Sequence, residues 1–161
     1  MNENNPTTTT LSSVILIILK ELRLERNMHQ AQLAEACDKT PSAWTKIELG
    51  KSPLSMEIFF KVCNTLQVAA SSVLTTAERH STLLSQNNWW IMSKQLAFDE
   101  DDLLQKAQEY YSSEEYKHRR PQYQYNIILN EPVYLHNRQI QISPVFDYCL
   151  YEQANKALEE K

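Results

Sequence analysis

The sequence of 161 residues contains a single glycine, Gly50. Glycine-rich phosphate loops, dinucleotide turns and nucleophile elbows each need backbone conformations that only glycine adopts cheaply, so this scarcity argues against enzymes built on them. Long hydrophobic runs are also lacking. The apolar stretch from Val14 to Leu19 is too short for a membrane span, and no basic region precedes it as a signal peptide would require. The three cysteines, Cys37, Cys63 and Cys149, are odd in number, far apart and without a CxxC pair. Small buried hydrophobes in a reducing cytosol are the favoured reading, ahead of redox sensing or metal binding. His80, His118 and His136 show no ligand spacing and have no cysteine neighbours, so neither a metal nor a cofactor is expected. The expected setting is a soluble cytoplasmic protein.

A strong excess of positive charge is absent too. The formal net charge is −4, which by itself discourages nucleic-acid binding, but the charge is unevenly shared. Residues 14–79 hold eight Lys/Arg against seven Asp/Glu, whereas residues 80–161 hold eight against twelve. Affinity for phosphates must then come from the local placement of Lys39, Lys46 and Lys51, and it should be moderate and salt-sensitive.

What is present is a helical first half. Residues 1–11 are Asn/Thr-rich with Pro6 and no periodicity, and read as a flexible arm. Helices are expected over about 12–26, 30–37, 41–49, 55–66 and 70–81, with Ser12 or Ser13 as the first cap. Thr40 before Pro41 is a cap followed by a proline at the first helical position, and Gly50 stands just past the end of the third helix. After residue 84 the texture changes. A polar break leads to Trp89-Trp90 and an apolar-periodic segment over 91–111, read as one or two helices with Asp99 capping the second. Residues 114–120 are charged and read as a connector. Residues 123–129 and 138–142 have strand character, with Val133-Tyr-Leu135 as a middle strand, so an antiparallel meander is expected before a closing helix over 146–160. The division is a flexible arm over 1–11, a helical domain over 12–84 and a small α+β region over 85–161.

The densest pattern runs from Arg23 to Lys51. Gln30-Ala-Gln-Leu33-Ala34-Glu-Ala-Cys37 and Pro41-Ser-Ala-Trp44-Thr-Lys-Ile47-Glu48 are two short amphipathic helices joined by a tight polar turn. Leu33, Ala34, Cys37, Trp44 and Ile47 are spaced to share a core with Ile15, Leu19, Met28, Ile58, Phe59, Val62 and Leu66, leaving the opposite face polar. Over about residues 15–75 this pattern resembles the phage repressor and Cro (XRE) helix-turn-helix family. The resemblance implies a five-helix, lambda-repressor-like fold that places one helix in the major groove of double-stranded DNA.

Carried over residue by residue, the resemblance implies that Arg23 and Glu48 form a structural ion pair fixing the helix angle. It implies that Gln30 holds a phosphate at the start of the second helix. Pro41, Ser42, Thr45 and Lys46 fall on the groove face, with Thr40 at the helix start. Lys46 would donate to guanine, Ser42 and Thr45 to several bases, and Pro41 would touch a thymine methyl. Lys39 and Lys51 flank the helix as phosphate contacts, with ordinary solvated lysines as the competing reading. Two departures stand out. Pro41 and Ser42 replace the amides or arginines often found there, so the helix is poor in bidentate readers, and Trp44 replaces a smaller aliphatic, expected as core.

Other features stay open at this level. Leu16, Ile17 and part of Ile18 are surplus hydrophobicity on the first helix, facing either a partner or the C-terminal half of the same chain. Lys117-His-Arg-Arg120 reads as a solvated connector or as a flanking DNA-backbone contact. Trp89, Trp90, Tyr110, Tyr111, Tyr123 and Tyr125 line a ligand pocket or build a core or interface. The self-cleaving peptidase domain of many such repressors is not expected, because the segment after residue 80 has no glycine and no Ala-Gly linker. The expectation is therefore a sequence-specific DNA-binding transcriptional regulator, a repressor acting as a homodimer on a palindromic operator, and not an enzyme. The alternative is an antitoxin-like or adaptor protein whose C-terminal half binds a protein partner or small ligand.

Overall fold

The structure, a computed structural model, describes residues 5–119 and 128–159, with side chains as far as Tyr151. It begins with strand β1 (Thr7–Thr10), which runs directly into helix α1 (Leu11–Glu25). The expectation of a flexible arm is thus corrected over these residues. Four consecutive threonines, β-branched and suited to extended backbone, pair in parallel with β2 (Trp89–Met92), Thr7 opposite Trp89 and Thr10 opposite Met92. Thr10 then turns the chain, its Oγ1 accepting a hydrogen bond from the Ser13 amide at 3.1 Å. The cap of α1 is therefore Thr10, not Ser12 or Ser13.

Helices α2 (Gln30–Ala36), α3 (Pro41–Glu48), α4 (Met56–Thr65) and α5 (Ala70–Gln86) follow. The starts of α2, α3 and α4 have a local cause. The His29 amide donates to Gln32 Oε1 at 2.7 Å, Thr40 Oγ1 accepts from the Ala43 amide at 3.1 Å, and Ser55 Oγ accepts from the Ile58 amide at 3.2 Å. Gly50, at φ +79°, closes α3, and its amide donates to the Ile47 carbonyl at 2.9 Å.

Beyond α5 the structure departs further from expectation. Ile91 and Met92, expected as the start of a helix, lie instead with Trp89 and Trp90 in a strand, because β1 supplies the pairing partner. A single-turn 3₁₀ segment (Phe98–Glu100) precedes α6 (Asp102–Tyr111), whose cap is Asp101 in place of Asp99, its carboxylate accepting from the Leu104 amide at 3.1 Å. The charged connector is helical, α7 (Glu114–Arg119), with Lys117 paired to Glu114 one turn away at 2.9 Å. Of the expected meander, residues 123–127 lie outside the described residues, and Ile128–Asn130 form a 3₁₀ turn. What remains is a short antiparallel hairpin, β3 (Val133–Tyr134) with β4 (Ile140–Gln141), followed by α8 (Pro144–Glu159).

The core is continuous. One buried cluster runs from Val14 in α1 through Trp44 in α3 and Val73 in α5 to Leu103, Tyr110, Phe146 and Cys149. Helix α1 lies at its centre, packed against β1, α3, α5 and α6. Leu16, Ile17 and Ile18 are all buried, so the surplus hydrophobicity of α1 is covered within the chain. Among the described residues no single helix is long and apolar enough to cross a membrane.

Candidate nucleic-acid interface

Helices α2 and α3 pack on one another through Leu33, Ala34, Trp44 and Ile47, all at most 4 % exposed. That burial leaves the other face of α3 to solvent. Pro41, Ser42 and Lys46 are exposed, and Thr45 is half-buried. Ser42 and Lys46, one turn apart, share a face. The side chains of Ser42, Lys46 and Lys39 make no hydrogen bond or ion pair with the described residues, so their donors are available to an outside acceptor.

Beneath this face α3 is anchored to α1. Arg23 grips Glu48 with two prongs, Nε to Oε2 at 3.2 Å and Nη2 to Oε1 at 2.6 Å, while its Nη1 donates to the Met28 carbonyl at 2.8 Å. The Trp44 indole N–H donates to Glu48 Oε2 at 2.7 Å. Arg23, Trp44 and Glu48 are all buried, so the pair is screened little by solvent and its geometry is held from three directions. Lys20 stands 3.9 Å from Glu48 Oε1 and over the Tyr111 ring at 3.8 Å. Burial lowers its pKa from the ordinary lysine range, against the opposing pull of Glu48.

Sequence reasoning missed the Trp44 and Lys20 contributions to this anchor. The available signal was spacing: Trp44 and Glu48 are four apart on one helix, and Lys20 is three before Arg23.

Other site candidates are placed less symmetrically. Gln30 opens α2, and its Oε1 accepts from Thr45 Oγ1 at 3.4 Å, so the two meet across the turn. Thr45 Oγ1 also lies 2.9 Å from the Pro41 carbonyl. Its hydroxyl is thus engaged internally, which leaves Ser42 and Lys46 as the freer donors on α3. Thr40 is exposed, with its hydroxyl oxygen occupied as the cap. The Lys51 ammonium stands 5.1 Å above the Phe98 ring. Lys39 is exposed just before Thr40, and its backbone amide donates to the Ala34 carbonyl at 2.9 Å. Arg120 of the basic run, and Tyr123 and Tyr125 of the aromatic set, lie outside the described residues. Tyr110, Tyr111 and Tyr116 meet in edge-on and tilted pairs, with centroids 5.1 to 5.7 Å apart, and Trp89 is buried while Trp90 is 59 % exposed. Cys37 and Cys63 are buried, and burial pushes both thiols up, Cys63 to about 11, which holds them as unreactive thiols at neutral pH.

No significant match exists among curated proteins or among solved structures. Residues 19–72 match the family model described as helix-turn-helix. This segment spans the anchor, the turn and the exposed face of α3, and it is a helix-turn-helix of the phage repressor and Cro (XRE) type, the module of DNA-binding transcription regulators.

Proposed function

We propose that the protein is a sequence-specific transcriptional repressor that binds a palindromic operator as a homodimer. The observation that carries this reading is the contrast within α3: Trp44, Ile47 and Glu48 lock one face, while Ser42 and Lys46 project unengaged donors from the other. A helix held that rigidly presents side chains at fixed positions to base edges. Ser42 and Lys46 read bases, while Gln30, Lys39 and Lys51 hold phosphates, with Thr40, Pro41 and Thr45 shaping the approach. One such helix reads few base pairs, so two copies supply the missing affinity and half-sites one helical turn apart.

The test begins with genome-wide mapping of bound DNA, which supplies the operator and its half-site spacing. On that operator Ser42→Ala/Lys46→Ala should keep the wild-type thermal unfolding transition and lose about 1–3 kcal/mol of binding. Equal operator affinity of the two proteins would remove the reading.

A second reading has its own support. Val133, Tyr134, Leu135 and Ile140 on the hairpin are 37 to 60 % exposed, and Tyr151 on α8 is 65 % exposed. Apolar surface of that kind suits an antitoxin-like or adaptor protein whose C-terminal half grips a protein partner. A stoichiometric partner co-purifying from the native host favours it; a homodimer alone favours the first reading.

A further inference from the structure

A cavity of about 570 Å³ opens between the helix-turn-helix and the β1/β2 sheet. Its walls are the start of α1, the connection from α3 to α4, the chain leaving β2, and Leu104 of α6. This volume is in the range of small-molecule sites, about 300–1,000 Å³. Leu16, Leu54, Ile91 and Leu96 give the cavity an apolar body. Ser12, Ser93 and Lys94 are exposed at its lining and supply donors.

The charge at the cavity has one sign. Lys94 is the single charged side chain among the lining residues, and it forms no hydrogen bond or ion pair with the described residues. Asp101 is near but turned inward: it is 1 % exposed and accepts from Thr9 Oγ1 at 2.8 Å and Ser13 Oγ at 2.6 Å. An apolar body beside one uncompensated ammonium complements an amphipathic organic anion. We propose that this cavity binds a small organic carboxylate, its apolar part against Leu16, Leu54 and Ile91 and its head at Lys94, and that the ligand acts as an effector.

The effector role follows from what the walls touch. Gly50, directly after α3, and Leu104, on α6, both line the cavity, and Leu104 Cδ1 rests against the face of Gly50 where a Cβ would stand. A ligand there bears on the contact through which the end of α3 meets the C-terminal half. This regulatory part rests on the DNA-binding reading; the binding part does not.

The probe is decanoate, with decanol as its uncharged counterpart, titrated calorimetrically into the full chain below the probes' micelle concentrations. Decanoate should bind saturably and about tenfold more tightly than decanol, and Lys94→Gln should abolish that preference while leaving decanol binding unchanged. Ser12→Trp, which fills the mouth from an exposed position, should block both probes while its circular dichroism matches the wild type. No saturable decanoate binding, or binding undiminished by Ser12→Trp, overturns the site, and equal decanoate affinity in Lys94→Gln overturns the anion preference. A separate titration with duplex DNA, with and without saturating decanoate, reads the coupling. A threefold or greater change in DNA affinity supports the effector role, DNA binding indifferent to bound decanoate overturns it, and absence of any DNA binding condemns the DNA reading while the cavity result stands.

Discussion

The helix-turn-helix and the layer that buttresses it are held together by different kinds of contact. In α2 and α3 the caps are local: Thr40 holds the Ala43 amide, Gln32 holds the His29 amide, and Gly50 closes the helix that Pro41 opened. In the buttress the decisive contacts join distant parts of the chain. Asp102 takes the Thr8 amide at 2.7 Å, Asp101 takes the Thr9 and Ser13 hydroxyls, Glu21 takes the Tyr111 hydroxyl at 2.6 Å, and Glu25 takes the Ile128 amide at 2.8 Å. The helix-turn-helix is self-describing and its buttress is a clasp. The caps are written in neighbouring residues, whereas the clasp joins residues about 90 to 100 positions apart.

The buried long-range ion pair inside the module should yield the largest effect. Glu48→Ala leaves the Arg23 guanidinium and the Trp44 indole N–H buried without their acceptor, which costs about 3–5 kcal/mol. Denaturant unfolding measures it, and a loss below about 1 kcal/mol would mean that solvent reaches the pair and that the anchor is no stronger than a surface bridge.

The same division decides what could be read in advance. Thr40-Pro41 and Gly50 punctuate α3 in the sequence itself, and the apolar spacing of Leu33, Ala34, Trp44 and Ile47 gives the buried face directly. Arg23 with Glu48 was legible through the resemblance, since nothing in the chain alone pairs two charges so far apart. The strand at Thr7–Thr10 was not legible, because its partner lies at Trp89–Met92 and a parallel pair leaves no hairpin signal. In the run 99–102 each aspartate is an eligible cap. Thr9 and Ser13, from the far end of the chain, select Asp101. Helix α1 loses its period between Val14 and Leu19 because it is covered on every side.

The second effect lies wholly in the clasp. His80 is fully buried on α5, 4.3 Å from the Phe146 ring of α8, with Nδ1 2.8 Å from the Thr76 carbonyl and no partner for Nε2 among the described residues. Burial lowers its pKa from 6.5 to about 4. Between those values the unfolded chain takes up a proton that the folded chain refuses, so His80 removes stability as pH falls from 6.5 to 4, by about 3 kcal/mol in all. Glu131 works in the opposite sense: burial raises it from 4.5 to about 7, the folded chain takes up the proton first, and stability rises as pH falls through that window. His80→Phe should therefore gain on the wild type progressively below pH 6.5, and parallel pH profiles of the two proteins would refute the assignment.

A somewhat smaller effect tests the clasp itself. Asp101→Ala removes the acceptor for Thr9 Oγ1, Ser13 Oγ and the Leu104 amide at once, for about 2–3 kcal/mol. Burial raises the Asp101 pKa in spite of those bonds, and Asp101→Asn, which keeps one acceptor oxygen, should recover part of the loss. Loss of the β1/β2 pairing in Asp101→Ala, seen as faster amide exchange over residues 89–92, would accompany it; unchanged exchange there would show that the strand stands without the clasp.

The smallest effect belongs to the joint between the two regions. Gly50→Ala places a side chain at φ +79°, a strain of about 1–2 kcal/mol for an L-residue. The new Cβ also meets Leu104 Cδ1, the far end of a flexible side chain that can turn aside. If the local and long-range halves communicate here, Gly50→Ala and Leu104→Ala should be non-additive, because the second removes the atom the first collides with. Strict additivity would leave only the backbone strain, and would make Gly50 a stop signal for α3 with no part in joining the helix-turn-helix to its buttress.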